Sequence, residues 1–349
     1  MDNTALVPYS PSEEMKQPVR KPRVRVVPLL LCAVSLFVYS FSVAKYIEKT
    51  MPDGYFFVRF LVGGFVGGVG NVYAMPVGGE WEYYGKGETS TGDALLGQLE
   101  KLSDGSFVPS VINRETSYDV TVGEMLSRGR VIPSLGEIYE KHGENSPVVL
   151  IIHTHGTEAY AEHEKSDYRT GGKDGVIGIG GVIADRLRES GINVLHCESA
   201  FDETDFNSAY YSAALAIRDY LEEYPSLAYI IDVHRDSITG ADGKEYALTA
   251  DVGGGKAAKL MFVVGTDYAG SGHVGWRDNL ALCARLEVGM EEKYSGLTRG
   301  LNIRAASFNQ QYTKGSMLVE IGSCANTYEE ASRTAEIFAD TLAEEIKQK

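Results

Sequence analysis

SPVVLIIHTHGTEAY, Ser146 to Tyr160, is the stretch on which the fold turns. Val148 to Ile152 is an unbroken apolar run, and it leads straight into His153-Thr154-His155, with Glu158 three residues further on. A short run that is apolar at every position reads as a strand buried on both faces, the kind found in parallel sheets with helices above and below. In such sheets ligands bind where strands reach their carboxyl ends. The HTHGTE segment therefore stands where chemistry is expected.

The same grammar continues downstream. Val182–Ser190 reads as a helix stopped by Gly191, and Ile192–Leu195 as a short strand. Ala209–Glu223 has helical apolar spacing and meets Pro225. Ala228–Val233, Leu260–Val264 and Ser316–Ile321 are further apolar strands. Asn279–Tyr294 and the amphipathic Tyr328–Lys347 are helices. Strands alternating with helices predict an α/β domain over residues 146–349, a mostly parallel sheet covered on both faces. No internal repeat and no GxxxxGK[ST] loop is found, which removes the usual P-loop signature.

Three strand ends carry ionisable residues. The first gives His153, His155 and Glu158, the second Asp232-Val233-His234-Arg235-Asp236, and the third Glu320 inside an otherwise apolar run. Imidazoles and a carboxylate are the ligands of a catalytic zinc, which takes three protein groups and keeps a position open. His155 and Glu158 form an HxxE pair, and His234 is the third candidate ligand. An unpaired carboxylate in an apolar strand costs several kcal/mol; a water activated by a neighbouring metal gives Glu320 its reason, as general base. Arg235 or Arg304 could hold a developing oxyanion or a substrate carboxylate. Alternation places His153 and His155 on one side, so one need be the ligand; His155 opens HxxE, and His153 is read as a supporting residue. Asp232 either orients an imidazole or closes the strand. His273, in Gly272-His273-Val274-Gly275-Trp276, is a candidate for shaping the substrate cleft. There is no Gly-x-Ser-x-Gly elbow and no cysteine in a nucleophile context.

The rest of the chain bounds the setting. Net charge is -15 over 349 residues, so a polyanion is a poor partner and nucleic acid is not expected. The four cysteines show no CxxC and read as small buried apolar side chains rather than a disulfide framework. Residues 1–25 form a basic tail, and Val26–Ala44 runs 19 residues without a charge, long enough to span a membrane as a helix. The basic flank puts the tail in the cytoplasm and everything after Lys45 outside. A cleaved signal peptide is the competing reading, since Ser42-Val43-Ala44 is a small-x-small site. Residues 45–145 are read as a Gly-rich membrane-proximal segment and a stalk. Within them Phe60–Gly79 is uncharged and carries small-xxx-small pairs, which leaves a second span open.

HTHGTEAY (His153–Tyr160), IIDVHRDS (Ile230–Ser237), VVGTDY (Val263–Tyr268) and LVEIGSCANTYEEA (Leu318–Ala331) together resemble the stage II sporulation protein P family over about residues 146–347. The resemblance implies a membrane-anchored, zinc-dependent N-acetylmuramoyl-L-alanine amidase fold, of the phosphorylase/hydrolase-like kind. It implies peptidoglycan as substrate, cleaved between the glycan's lactyl group and the stem peptide, with cross-link endopeptidase activity also attributed to the family. It further implies septal wall thinning and engulfment, beside sporulation proteins of the D and M type. His155, His234 and Glu320 match the family's positions. The wider amidase superfamily takes its carboxylate ligand about fifteen residues after the first histidine, where this chain has Asp174 and no glutamate; Glu158 and Asp174 are therefore alternatives. A zinc carboxypeptidase-like stem-peptide hydrolase and a non-catalytic wall-binding module are the rival readings.

Overall fold

The computed structural model describes residues 100–101, 107–161, 174–240 and 243–348. The basic tail, Val26–Ala44 and Phe60–Gly79 lie outside them. Among the described residues no helix is long and apolar enough to cross a membrane.

Two two-residue strands, β1 (Glu100–Lys101) and β2 (Phe107–Val108), pair with each other. The main sheet is built from β3 (Val111–Asn113), β4 (Val149–Ile152), β5 (Val194–His196), β6 (Tyr229–Asp236), β9 (Leu260–Gly265), β10 (Thr298–Arg304) and β11 (Gly315–Ser323). Its order is β3-β10-β9-β11-β6-β4-β5. β11, β6, β4 and β5 run parallel to one another. β9 is antiparallel to β11, and β10 and β3 follow β9. The sheet thus has two halves of opposite direction. A hairpin of β7 (Thr249–Val252) and β8 (Gly255–Ala258) stands apart from it.

The helices are α1 (Val122–Ser127), α2 (Leu135–His142), α3 (Val176–Glu189), α4 (Ala209–Glu223), α5 (Trp276–Lys293) and α6 (Tyr328–Lys347). α4 and α6 occupy the spans predicted for them. α6 starts where Thr327 and Glu330 close a capping box, and Asp/Glu-rich first turns suit the positive end of a helix. α3 begins at Val176 rather than Val182, because its first turn, VIGIGG, hides apolar spacing among glycines. Residues ahead of 146 also join the main sheet and core. β3 pairs with β10, and Met125, Ile132 and Ile138 enter the main core. Three-residue strands and six-residue helices carry too little periodicity to stand out in a polar, Gly/Ser-rich segment.

The two faces of the sheet are covered unequally. One face packs against α3, α5 and α6 through a continuous core that includes Ile179, Ile183, Phe262, Leu280 and Phe338. The other face is covered over β4 and β6 by α4, with Ala213 and Ile217 on Leu150, Ile152 and Ile230. Over β9 and β11 the second face holds Met261, Val263 and Leu318, with Phe308 packed on them. Residue alternation puts Asp232, His234 and Glu320 on this second face.

Candidate functional site

β4 ends at Ile152, and His153 to Glu158 form a turn, so strand alternation no longer governs the two histidines. They diverge, contrary to the expectation that they share a side. His153 is fully buried under α3: its Nδ1 is 3.3 Å from the Val233 carbonyl and its Nε2 is 2.9 Å from His196 Nε2. Gly180 of α3 lies so close that a methyl group there would overlap the His153 ring. Burial holds the His153 imidazole down at about 3, so it is neutral and serves as a hydrogen-bonded brace between β4 and β5. His155 turns the other way. Its ring stacks on Phe206 at 4.1 Å, meets the edge of Tyr210 at 5.5 Å, and is 5.6 Å from the ring of His234.

His234 is placed by β6, in register with Glu320 on β11. Its Nδ1 is 3.4 Å from Glu158 Oε2, and its Nε2 is 3.0 Å from Asp232 Oδ1. Burial alone would lower its pKa, but Asp232 and Glu158 outweigh burial and raise it. The same contacts hold Glu158 below the ordinary carboxylate range against the opposing effect of burial. The Arg235 main-chain N–H donates to Glu158 Oε2 at 3.0 Å and fixes the carboxylate further. Asp232 accepts from Thr154 twice, from the main chain at 2.8 Å and the hydroxyl at 2.6 Å. Asp232 is thus itself held in place within β6, which runs on to Asp236.

The remaining predicted residues separate. Glu320 lies beside His234; burial pushes its carboxyl up to about 8, with Asp236 adding to the effect. The Arg235 guanidinium is buried and its Nε donates to the Ala159 carbonyl at 3.0 Å. Alternation aims it with Val233 at the three-helix face, away from Glu320. Asp174 precedes Gly175, which bridges to Ala159, and its charge acts on Tyr328. His273 belongs to the other edge of the sheet. Its Nε2 is 3.1 Å from Asn279 Oδ1, and Asn279 donates to Ser316 at the start of β11. Because β9 runs against β11, the loop after β9 emerges opposite Glu320, and His273 does not line this site.

Several participants carry no motif. Asp202 accepts from Thr157 at 2.6 Å and 3.2 Å and lies 3.5 Å from His155 Nδ1. Asp236 pairs with Arg299 at 2.7 Å and accepts from the Ser237 main-chain N–H at 2.7 Å. Asp202 follows β5, so a search of every strand end would have reached it; Arg299 comes from the start of β10 and gives no such signal.

Among the described residues no three His, Cys, Asp or Glu side chains close on one point as a metal cage. The donor chemistry nevertheless suits a cation. His155 Nδ1, His234 Nε2 and Glu320 Oε2 are buried and make no hydrogen bond among the described residues. His234 Nε2 is near Asp232 but out of line for one. The carboxylates of Asp202, Glu158, Asp232, Asp236 and Glu320 gather here against Arg299 and the averted Arg235.

The chain is 31% identical over 212 residues to stage II sporulation protein P of Bacillus subtilis strain 168, a match covering 56% of this chain and 50% of that protein. It thus spans about half the length of that curated relative. Among solved structures, the N-acetylmuramoyl-L-alanine amidase AmiC2 of Nostoc punctiforme is 12% identical at a TM-score of 0.35, covering 58% of this chain and 98% of that one. An N-acetylmuramoyl-L-alanine amidase from Clostridium difficile 630 is 12% identical at 0.36, covering 57% and 94%. The CwlD amidase of Clostridioides difficile, solved with the GerS lipoprotein, is 14% identical at 0.32, covering 58% and 95%. The sequence pattern of the stage II sporulation protein P family matches residues 105–343, a span that contains every residue of the site, and the chain belongs to that family.

Proposed function

We propose that the domain is a peptidoglycan hydrolase that cleaves the amide between N-acetylmuramic acid and the L-alanine of the stem peptide. In this reading zinc is held by His155, Glu158 and His234, and Glu320 is the general base. The observation that carries it is the meeting of two buried imidazoles and a buried carboxylate, each with an atom lacking a hydrogen-bond partner, from three separate strand ends. Zinc, when bound, would polarise the scissile carbonyl and ease deprotonation of water.

The chain's own groups do the rest. Phe206 and Tyr210 clamp the His155 ring, and Thr154 holds the Asp232 carboxylate in place 3.0 Å from His234 Nε2. Glu320, ionised once a cation beside it offsets the burial that pushes its carboxyl up to about 8, would accept a proton from the attacking water and pass it to the departing amine as the C–N bond breaks. The N-terminal apolar segment would anchor the domain on the outer side of the membrane. There it would act in septal wall remodelling with D- and M-type partners, as the family resemblance implies.

The test is elemental analysis of purified protein, followed by digestion of peptidoglycan with and without chelator and mass spectrometry of the fragments. Zinc at about one per chain, with chelator-sensitive release of whole stem peptides, is the expected result. Shortened peptides on intact glycan would make it a carboxypeptidase. Absence of both metal and fragments would reject hydrolysis and leave a wall-binding module.

A further inference from the structure

Two arginines are expected from the sequence to hold a developing oxyanion, and both are engaged elsewhere. Arg235 is buried with its Nε donating to the Ala159 carbonyl at 3.0 Å, and Arg304 pairs with Glu115 at 2.7 Å. Thr154 gives its hydroxyl to Asp232 at 2.6 Å. The need for a donor remains. Charge that gathers on a carbonyl oxygen beside Glu158, Asp232 and Glu320 is repelled by carboxylates of its own sign, and a fixed O–H or N–H aimed at it offsets that repulsion.

Tyr210 stands over the same groups. α4 follows the carboxyl end of β5 and leads back to β6, which runs parallel to β5 through β4, so its first turn lies at the edge where β4 and β6 end. Tyr210 shares a helical face with Ala213 and Ile217, which pack on Leu150, Ile152 and Ile230. Its side chain is therefore aimed at the second face of the sheet, the one that carries His234 and Glu320. The residue is half-buried, whereas His155, Glu158 and His234 are buried. No hydrogen bond among the described residues uses its hydroxyl; the contact it makes by hydrogen bond is through its carbonyl. Burial raises the phenol well above its ordinary pKa, and the charges of Asp232, Glu320 and Glu158 raise it further, with Arg304 opposing them. The hydroxyl thus keeps its proton and feels the carboxylates of the site.

The ring is held from both sides. It meets the His155 ring at 5.5 Å and the Phe308 ring at 5.6 Å. Phe308 is placed by a strained loop: it and Asn309 are the two non-glycine residues with positive φ among the described residues, at 48° and 56°. Successive left-handed residues persist where surroundings impose them, and they concentrate at functional sites. Asn309 donates to the Tyr210 carbonyl at 2.9 Å, which ties this loop to the start of α4. Buried Gln310 accepts from the Gly265 N–H and donates to the Val263 carbonyl, which ties it to β9. A donor fixed before substrate arrives needs no reorganisation when charge develops.

We propose that Tyr210 is a catalytic residue whose hydroxyl donates a hydrogen bond to the carbonyl oxygen of the scissile amide as negative charge gathers there. The assignment rests on the hydrolase reading above. As the water oxygen bonds to the carbonyl carbon, the C=O π pair moves onto oxygen, where the Tyr210 O–H meets it without giving up its proton. The pair returns as the C–N bond breaks, and the proton taken from water leaves on the amine nitrogen.

The test uses the purified full chain, a synthetic muramyl peptide, and a phosphinate that replaces the scissile amide and carries a charged oxygen in its place. Tyr210→Phe keeps the ring and removes the hydroxyl. It is expected to lower kcat about 10²- to 10³-fold, with KM, zinc content and unfolding midpoint unchanged. Binding of the phosphinate should weaken by a similar factor, while binding of the released stem peptide stays the same. A role confined to packing would leave kcat and phosphinate binding at wild-type values, and that result overturns the proposal. So does a loss that appears only as a raised KM, or one that follows a loss of zinc. A wild type that cleaves no peptide rejects the hydrolase reading and the assignment together; an active wild type matched by an equally active Tyr210→Phe rejects the assignment alone.

Discussion

In one half of the sheet β4, β6 and β11 end at the site; in the other half β9 and β10 begin there. The ending strands bring imidazoles and carboxylates: His155, Glu158, Asp232, His234 and Glu320. The beginning strands bring a cation, Arg299, which reaches Asp236 at 2.7 Å. Reversal of β9 thus sets charges of opposite sign along one edge, though no contiguous stretch of sequence contains both. It also splits the labour. In the proposed reading the parallel half holds the reacting groups, while the reversed half supplies counter-charge near Glu320 and, at its far end, carries Arg304 and Phe308.

That division can be broken by substitution. His155→Ala or His234→Ala should remove both bound zinc and peptidoglycan cleavage while the fold survives; stoichiometric zinc with full activity in either variant would strike that residue from the ligand set. Glu320→Gln should retain zinc and lower kcat about 10²- to 10⁴-fold, read by single-turnover release of stem peptide. In the reversed half, Phe262 packs on Phe338 at 6.1 Å between ring centroids. Phe262→Ala should cost about 3–5 kcal/mol in denaturant unfolding, yet leave the zinc content of the folded protein unchanged. A coupled loss of zinc would show that the halves are not separable.

The reversed half also has its own pH dependence. Burial pushes Glu287 of α5 up to about 8; Thr298, at the start of β10, donates to it at 3.0 Å and offsets only part of this. A carboxyl with a raised folded pKa keeps its proton in the native state after the unfolded chain has lost it. Its contribution is whole below the unfolded value and fades as pH rises through about 8. Glu287→Gln should therefore flatten the fall in stability across pH 5 to 8, removing a slope of up to about 1.4 kcal/mol per pH unit. An unchanged slope in urea titrations would show that another group is responsible. The smallest effect is expected at the cap of α6, where Thr327→Ala should lower unfolding free energy by about 1 kcal/mol and alter neither zinc nor cleavage.

The parallel half was legible because burial on both faces writes itself as unbroken apolar runs. VVLII, AYIIDV and SMLVEI could be read as strands, and their ends led to His155, His234 and Glu320. β10, TRGLNIR, alternates apolar with polar residues around a glycine and gave no such signal. The direction of β9 was illegible for a different reason. A strand's sequence does not record which way it runs, and only its pairing with β11 places the following loop, with His273, at the far edge. Arg304 was noticed as a cation able to meet a carboxylate, but its distance from Glu320 depends on that same reversal. Asp202, Phe206 and Tyr210 were missed because they sit in a loop and a helix start that follow β5, a strand of three residues.

Both outermost strands of the sheet, β3 and β5, have three residues each. A strand that short offers a neighbouring molecule almost no ladder of unpaired N–H and C=O groups to extend. Long flat margins recruit other chains into continuous sheets, and truncated ones resist it. The wide apolar interior strands are thereby fenced at both ends, which guards the fold against edge-to-edge aggregation.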